Sequence, residues 1–282
     1  MPFPTPYAGV NAVVLEFESR TRVILEKNFL GFYLYGSLAL GDFDPHTSDI
    51  DWIVVTQGEI SEYIFTALKA MHATFDRSDS PWTSKIEAAY ISLHALNHRV
   101  GTAEAYPQIE KGTELFRAPL EIGWAFQRYS LREFGVVVAG PEPHTIMDPV
   151  DPADLRQAGG LIVKDWVEHA QQDSTWIDWV RHRSALSFVV LTLCRIHYSM
   201  ATGSVASKPA AAGWAKENLG ERWEALIQRS LAGQKDARDV QEADLQAMQD
   251  LLSETEKQLR LVGDESIQIV KKEITPGIFY PG

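Results

Sequence analysis

Two aspartates spaced one residue apart, Asp49 and Asp51, form the pattern in this sequence that is best suited to chemistry. Side chains alternate along a β-strand, so both carboxylates would project from one face while Ile50 and Trp52 point to the other. Two carboxylates this close repel each other, and burying them without a counter-charge is costly. A hard cation with oxygen ligands removes both problems, and Mg²⁺ that also holds substrate phosphates is the usual case. The spacing therefore predicts a metal site for phosphate chemistry.

A Gly-Ser pair, Gly36 and Ser37, lies upstream of the aspartates and follows an apolar run. A glycine lets the backbone approach a phosphate closely, and the serine with the amides after it can donate hydrogen bonds to phosphate oxygens. An isolated Asp-x-Asp would be interpreted as a solvated surface loop. The Gly-Ser turn and the β-type runs that flank both parts favour a phosphate-binding site instead.

Glu87 is the only acid inside an apolar run over residues 85–93 that predicts a further strand. A charged side chain in a central strand needs an explanation. One explanation is structural, because Glu87 could pair with Lys85 or an arginine, or the strand could lie at the edge of the sheet. The other is functional, because a carboxyl that lies near other carboxylates has a raised pKa, which suits it to accept a proton.

The strands and helices predicted around these residues indicate an α/β domain over residues 1–150. Alternating and apolar runs predict strands over 29–35, 52–56, 85–93 and 136–139. Helices are expected over 7–28, 61–75 and 113–134, the second with Ser61 as its N-cap and the third in one or two pieces. Prolines crowd the segment 140–152, which indicates a stiff, extended connection and places the domain boundary within it.

The second part of the chain, residues 151–265, is helical in pattern and predicts an α-helical bundle of four or five helices. Helices are expected over 153–172, 176–202, 209–219, 222–232 and 242–262. Residues 266–282 form a C-terminal tail without an assigned structure. The expected fold class is thus α/β + α, a mixed β-sheet with helices followed by a helical bundle.

Lys208 stands in the first turn of a predicted helix, between the N-cap Ser207 and Pro209. Lysine normally avoids this position because the macrodipole already makes a helix N-terminus positive. A bound anion such as a phosphate would explain it, and a solvated surface lysine with a small electrostatic penalty is the alternative. Arg195 and Tyr198, three residues apart, share one face of the preceding helix.

Charge and composition exclude several classes of function. A net charge of −12 makes the chain a poor candidate for binding nucleic acid. An acidic cleft would attract a cationic small molecule, and acidity that serves only solubility is the alternative. The single cysteine, Cys194, excludes an internal disulfide and a cysteine metal cluster. Apolar stretches stay below the ~20 residues needed to span a bilayer, and a signal-peptide pattern is absent from the first residues. We expect a cytoplasmic protein without membrane or nucleic-acid partners, as a monomer or weak dimer.

The order Gly36-Ser37, spacer, Asp49-Ile50-Asp51 resembles the nucleotidyltransferase superfamily that includes DNA polymerase beta. Residues 191–215, with the runs Leu-Thr-Leu-Cys-Arg and Ser-Lys-Pro-Ala-Ala-Ala, resemble the C-terminal helical domain of the bacterial aminoglycoside adenylyltransferases that act on streptomycin and spectinomycin. Both segments match in order and at a sensible separation, so the resemblance spans most of residues 10–260.

The resemblance implies an adenylyltransferase that moves AMP from Mg·ATP to a hydroxyl of a cationic small molecule, with an aminoglycoside or aminocyclitol antibiotic as the best acceptor and antibiotic resistance as a role. It implies that Asp49 and Asp51 hold Mg²⁺, two ions being expected, and that Glu87 is the third acid of this metal site and the general base. The nucleotide would be bound across the interdomain cleft by Gly36, Ser37, Lys208, Arg195 and Tyr198. Asp178 and Glu168 are acceptor-binding candidates by helix position only.

Two alternatives remain at this point. The acceptor could be a protein hydroxyl or another metabolite, or the chain could be a non-catalytic nucleotide-binding regulatory module. The complete set of Asp49, Asp51 and Glu87 argues against the second, because such modules usually lose one acid. A tyrosine that stacks near the nucleotide in characterised relatives would fall near Leu231 here, which is a departure from the family pattern.

Overall fold

The computed structural model describes residues 3–98, 104–234 and 236–263. The chain divides into two compact units, the first running to Val150 and the second beginning at Asp151. The first is an α/β unit and the second is helical, which confirms the predicted fold class. The predicted C-terminal tail, 266–282, lies outside the described residues.

The first unit is built on a mixed sheet whose described part has the strand order β5-β4-β3-β2-β1-β6. The strands are β1 (Phe29–Leu34), β2 (Ile50–Thr56), β3 (Ile86–Ser92), β4 (Ala105–Ile109), β5 (Phe116–Pro119) and β6 (Val136–Ala139). β2 and β3 are parallel, and the other neighbours pair antiparallel. β3, which carries Glu87, therefore lies inside the sheet, so an edge strand does not explain that residue.

Helices cover the sheet of the first unit. They are α1 (Ala8–Leu25), α2 (Gly36–Leu40), α3 (Glu62–Asp76), α4 (Leu93–Leu96), α5 (Trp124–Phe134) and α6 (Pro143–Ile146), with a 3-10 turn at Glu26–Asn28. α1 buries its apolar stripe on β2, where the rings of Phe17 and Trp52 are 4.9 Å apart. α3 begins as predicted, because the Ser61 hydroxyl accepts a hydrogen bond from the Ile64 amide at 3.4 Å.

The helix predicted over 113–134 is wrong in its first part. Residues 105–119 form the hairpin β4–β5, and a helix begins only at Trp124. The residues of the turn are suited to it, because Gly112 adopts a positive φ of 74°. The Thr113 hydroxyl accepts a hydrogen bond from the Glu110 amide at 3.1 Å and donates one to the Glu110 carbonyl at 3.0 Å. β4 also pairs with β3, far away in the sequence. The hydrophobic periodicity within residues 113–134 contains no information about that long-range pairing.

The second unit consists of helices. They are α7 (Pro152–Gln172), α8 (Ser174–Val180), α9 (Arg183–Thr202), α10 (Lys208–Asn218), α11 (Glu224–Ala232) and α12 (Glu242–Gly263), with a 3-10 turn at Glu221–Trp223. The single helix predicted over 176–202 is wrong, because the chain leaves helical geometry at His182. There the Arg183 amide donates to the Arg238 carbonyl at 2.8 Å, and the Val240 amide donates to the Arg181 carbonyl at 2.7 Å. Tertiary pairing therefore breaks a locally helical pattern.

α9 is the core helix of the second unit. Its predicted apolar face is buried, including Leu186, Val190 and Cys194. This helix is long and apolar enough to cross a membrane by length and composition, but most of it is buried inside its own unit. It ends at Gly203 (φ 68°), and α10 begins after Ser207, whose hydroxyl accepts from the Ala210 amide at 3.3 Å, as predicted.

Candidate active site

The predicted Gly-Ser turn is the start of the short helix α2, and Gly36 fits closely against Asp51. Gly36 has φ 62°, a backbone conformation that side chains other than glycine rarely adopt. A Cβ atom at this position would lie 2.8 Å from Cγ of Asp51 and would overlap its Oδ2. The Tyr35 amide donates to the Asp51 carbonyl at 3.1 Å and fixes the end of β1 beside β2. The structure thus brings Gly36, with Ser37 next to it, against one predicted metal ligand.

Asp51 and Glu87 are partners in the parallel pairing of β2 with β3. Partners in register on neighbouring strands project from the same face of a sheet, so both carboxyl groups point the same way. Both residues are half-buried. The Ile50 amide donates to the Lys85 carbonyl at 2.7 Å, which holds the register at the beginning of the two strands. The structure therefore brings the predicted third acid next to the Asp-x-Asp pair.

Asp49 immediately precedes β2 and forms an ion pair that the sequence did not indicate. Its Oδ1 atom lies 3.3 Å from Nζ of Lys111, in the β4–β5 turn. That oxygen is buried, and it accepts no hydrogen bond within the described part of the chain. Lys111 is thus a residue at this site that sequence reasoning missed, because the hairpin that carries it was not predicted and residues 113–134 were assigned to a helix.

Three further ionisable groups belong to this acidic cluster. Burial, followed by the charges of Glu110 and Glu87, raises the pKa of Glu121 to about 8. Burial also raises the pKa of Glu110. The pKa of Tyr35 lies well above its usual value because of burial and then the nearby charges of Asp51, Glu87 and Glu121. The acids therefore face one region around the Tyr35 ring, and Glu121 keeps its proton near neutral pH.

Lys85, which was considered as a structural partner of Glu87, forms hydrogen bonds with the loop before Asp49. Its Nζ atom donates to the carbonyls of Pro45 at 2.9 Å and His46 at 3.2 Å, and it lies 5.1 Å from the ring centroid of Trp82. These contacts fasten the loop that enters β2. Lys85 therefore positions Asp49 through the backbone.

The donors at this site fit a magnesium ion by their chemistry. Carboxylate oxygens are the ligands that Mg²⁺ prefers, and it is commonly held by one or two carboxylates together with substrate phosphates. The buried Oδ1 of Asp49 accepts no hydrogen bond from the described residues and lies 3.3 Å from Nζ of Lys111, so a metal ion at this oxygen would take the place of the ammonium. Within the described ranges, no group of three His, Cys, Asp or Glu side chains is arranged so that it could hold a metal ion by itself. The arrangement thus fits an ion that takes its remaining ligands from phosphate or water.

The predicted nucleotide-binding residues of the second unit lie around the start of α10. Arg195 Nε donates to the Ala206 carbonyl at 3.1 Å and so holds the loop between α9 and α10. Lys208 is half-buried in the first turn of α10, as predicted, and its Nζ atom lies 5.7 Å from the ring centroid of Phe188. Both cations therefore lie at the same helix start.

Tyr198 faces α10 as well, because its ring meets that of Trp214 edge-on with centroids 5.9 Å apart. The two acceptor-binding candidates lie on different helices, with Asp178 exposed on α8 and Glu168 exposed on α7. Glu168 pairs with Lys164 at 3.5 Å. Sequence reasoning did not single out Asp165 on α7, a half-buried acid whose pKa is raised by burial.

Known proteins resemble this chain over both units. A family described as aminoglycoside adenylyltransferase, C-terminal domain, matches residues 145–258. An aminoglycoside (3'')(9) adenylyltransferase of Escherichia coli is 30% identical over 235 residues, which are 78% of this chain and 84% of that protein. The protein of the same name from Klebsiella pneumoniae is 30% identical over 227 residues, or 75% of this chain and 81% of the relative.

A solved structure has the same fold. The crystal structure of spectinomycin adenyltransferase AAD(9) from Enterococcus faecialis, with ATP and spectinomycin, matches with a TM-score of 0.64. The match covers 90% of this chain and 99% of that one at 18% sequence identity. At this identity the likeness establishes the shared architecture of an α/β unit followed by helices.

Proposed function

The chain belongs to the aminoglycoside (3'')(9) adenylyltransferase family of nucleotidyltransferase enzymes, and from this premise we propose that it transfers AMP from ATP to a hydroxyl group of an aminoglycoside or aminocyclitol. The observation that carries the proposal is the pairing of Asp51 with Glu87 beside Gly36, because it sets two acids of the predicted metal site side by side, against a glycine position that admits no side chain. The net charge of −12 supports a cationic acceptor.

Asp49, Asp51 and Glu87 would hold Mg²⁺, two ions in this proposal, and bound metal would neutralise the triphosphate and stabilise the charge of in-line transfer. Gly36 would let a phosphate approach the backbone, and Ser37 would donate to a phosphate oxygen. Lys208 supplies a cation to the phosphates. Arg195 fixes the loop before Lys208, and Tyr198 packs on the same helix. In this proposal residues 1–150 are assigned to catalysis and residues 151–265 to ligand binding.

Glu87 acts as the general base in this proposal. A carboxylate oxygen of Glu87 accepts the proton of the acceptor hydroxyl as that oxygen forms a bond to the α-phosphorus. The bond from the α-phosphorus to the bridging oxygen breaks at the same time, and pyrophosphate leaves. The position of Glu87 within the sheet supports this role, because β3 is an inner strand and its Glu87 pairs in register with Asp51 of β2.

The acceptor would be recognised by acidic side chains, since aminoglycosides carry several ammonium groups. Asp178 and Glu168 are exposed acids on the helical unit that could bind such groups. We propose antibiotic modification in the cytoplasm as the biological role, with the protein as a monomer or weak dimer. A buried core helix and the acidic charge are consistent with this setting.

The decisive experiment follows pyrophosphate release from ATP in the presence of Mg²⁺ and a panel of aminoglycosides and aminocyclitols that includes streptomycin and spectinomycin. We expect release only when a suitable acceptor is present, together with a product heavier by one AMP in mass spectrometry. The Asp51→Asn variant and a reaction without acceptor are the controls. A panel that gives no acceptor-dependent release would contradict this acceptor class.

A further inference from the structure

Lys111 lies at the tip of the β4–β5 hairpin, on a backbone that the turn holds in place. Thr113 bonds the backbone of Glu110 through both its donor and its acceptor, at 3.0 and 3.1 Å, and Gly112 has a left-handed φ of 74°. The Cα of Lys111 is therefore fixed relative to the sheet. What can vary is the direction of its long, flexible side chain.

The ammonium of Lys111 meets Asp49, the first residue of the Asp-x-Asp pair. The distance from Nζ to Oδ1 is 3.3 Å, and the side chains are 41% and 26% exposed. The Oδ1 atom is otherwise buried, without a hydrogen bond from the described residues. Asp51 and Glu87 add negative charge on the adjacent strands. A positive charge at Asp49 therefore stabilises a group of acids that would otherwise repel one another.

We propose that Lys111 is a resident counter-ion of the acidic cluster, which neutralises Asp49 until a divalent cation binds at that carboxylate and takes over the role. The inference rests on the proposed function, because it assigns Asp49 as a metal ligand. A lysine ammonium suits this exchange, since it is a compact point charge on a flexible stem that can swing into water. The partial exposure of Lys111 leaves room for that movement. Lys111 is thus a positioning residue that sets the metal affinity of the site.

The test compares Lys111→Met with Lys69→Met. Lys69 is a matched control, because its Nζ atom pairs with Glu114 at 2.9 Å and its side chain is 45% exposed. Each variant removes one positive charge from the same unit, but only Lys111 pairs with a predicted metal ligand. Mn²⁺ binding is measured by calorimetry without nucleotide. Competition with the ammonium predicts that Lys111→Met binds Mn²⁺ about two- to five-fold more tightly than Lys69→Met, the range of an exposed ion pair.

Thermal unfolding supplies a second measurement. Without metal, Lys111→Met should melt below Lys69→Met, because Asp49 has lost its counter-ion. In saturating Mn²⁺ this deficit should disappear, since the metal now neutralises the same carboxylate. Lys111→Arg, which keeps the charge, should behave like the wild type in both measurements. Lys111→Gln repeats the test with a polar side chain, should the methionine variant be poorly folded.

The outcomes separate this inference from the proposed function. Equal Mn²⁺ affinities in Lys111→Met and Lys69→Met would overturn the counter-ion role, even if the wild type transfers AMP to an aminoglycoside. Tighter Mn²⁺ binding by Lys111→Met would support it, even if the acceptor panel fails. A wild type that binds no Mn²⁺ would overturn both the exchange and the metal-ligand assignment of Asp49.

Discussion

Gly36 and Asp51 are packed so closely that no side chain fits at position 36. An ideal Cβ there would lie 2.8 Å from Cγ of Asp51 and would overlap its Oδ2, and the φ of 62° already disfavours any residue with a side chain. The glycine that opens α2 is therefore required by the carboxylate of the neighbouring strand. The two positions act as one unit of the site.

Gly36→Ala should consequently remove most of the adenylyl transfer. The new methyl group pushes the Asp51 carboxylate aside, and a displacement of about 1 Å at a reacting group can cost about 10²-fold in rate. Gly41→Ala is the matched control, because Gly41 also has a positive φ, 79°, but no atom lies within 4 Å of its Cβ position. That variant should lose about 1–2 kcal/mol of stability and little activity. Steady-state kinetics with both variants tests the difference, and equal losses would refute the close fit as the cause.

Asp49→Asn and Asp51→Asn should each nearly abolish turnover while the fold is retained. Each substitution removes a charged oxygen ligand, and the amide oxygen that replaces it binds Mg²⁺ less well. The stability of Asp51→Asn without metal should equal or exceed that of the wild type, because a like charge beside Glu87 is gone. Pyrophosphate release and thermal melts check both points, with exposed Asp79→Asn as the control. Retained turnover in either site variant would remove the metal role.

Glu87→Gln should act on the chemical step and hardly on nucleotide binding. The amide keeps the shape of the side chain but cannot accept the hydroxyl proton, and loss of a general base costs about 10²–10⁴-fold in rate. ATP affinity should stay near the wild-type value while kcat falls by at least the lower figure. If the rate of the wild type rises with pH through a single ionisation, this pH dependence should disappear in Glu87→Gln.

Two other results would reassign Glu87. Joint loss of ATP binding and turnover would make it chiefly a metal ligand. Full turnover would make it a structural acid of β3, and the base would have to be found elsewhere. Measurement of ATP binding by calorimetry beside kcat distinguishes the three cases.

The core of the site could be predicted from the sequence because its determinants are local. The apolar runs that became β1, β2 and β3 predicted the strands, and side-chain alternation indicated that the aspartates share a face. The N-caps Ser61 and Ser207 were also predicted, since a cap depends on a few neighbouring residues. The placement of Glu87 beside Asp51 requires β2 and β3 to be neighbours in the sheet. The family resemblance predicted that arrangement, and local sequence patterns did not.

Lys111 and Glu121 could not be predicted, because the hairpin β4–β5 brings them to the site. That hairpin is held in the sheet by pairing with β3. The interactions of Lys111 with Asp49 and of Glu121 with Glu87 link residues far apart in the sequence, and no short sequence motif indicates them. The break of the predicted helix at His182 has the same origin, a pairing with residues near 239 that local periodicity does not contain. Gly112 is a turn residue in that stretch of the sequence, but one glycine does not indicate which strands the flanking residues form.

Lys208→Ala should weaken ATP binding by about 1–3 kcal/mol, the range for charge-assisted hydrogen bonds to phosphate. Acceptor binding should change little, because the ammonium contacts the nucleotide in our proposal. Lys216→Ala is the control on the same helix, where the ammonium bonds Gln228 at 3.3 Å. Isothermal titration with ATP compares the two variants. A Lys208→Ala affinity equal to that of the wild type would make Lys208 a surface lysine that packs near Phe188.

Glu121 should make the stability of the protein depend on pH. Its pKa is about 8 in the folded protein, raised from 4.5 by burial and by Glu110 and Glu87. Between these values the folded state keeps a proton that the unfolded chain has lost, so stability falls as pH rises, by at most about 1.4 kcal/mol per pH unit. The contribution is fully present below pH 4.5 and is lost as pH rises through 8.

Glu121→Gln fixes the side chain in a neutral form and should remove this loss. Melting temperatures of the variant and the wild type should be similar near pH 5 and should diverge by pH 9, where the variant is the more stable. Glu114→Gln, in the turn of the hairpin that precedes Glu121, is the matched control: the bond with Lys69 lowers the pKa of Glu114, so this carboxyl is ionised in both states above pH 5. Its melting temperature should follow the wild type in parallel. Parallel profiles for Glu121→Gln would instead mean that Glu121 is ionised in the folded protein and that the acidic cluster carries one more negative charge for a cation to neutralise.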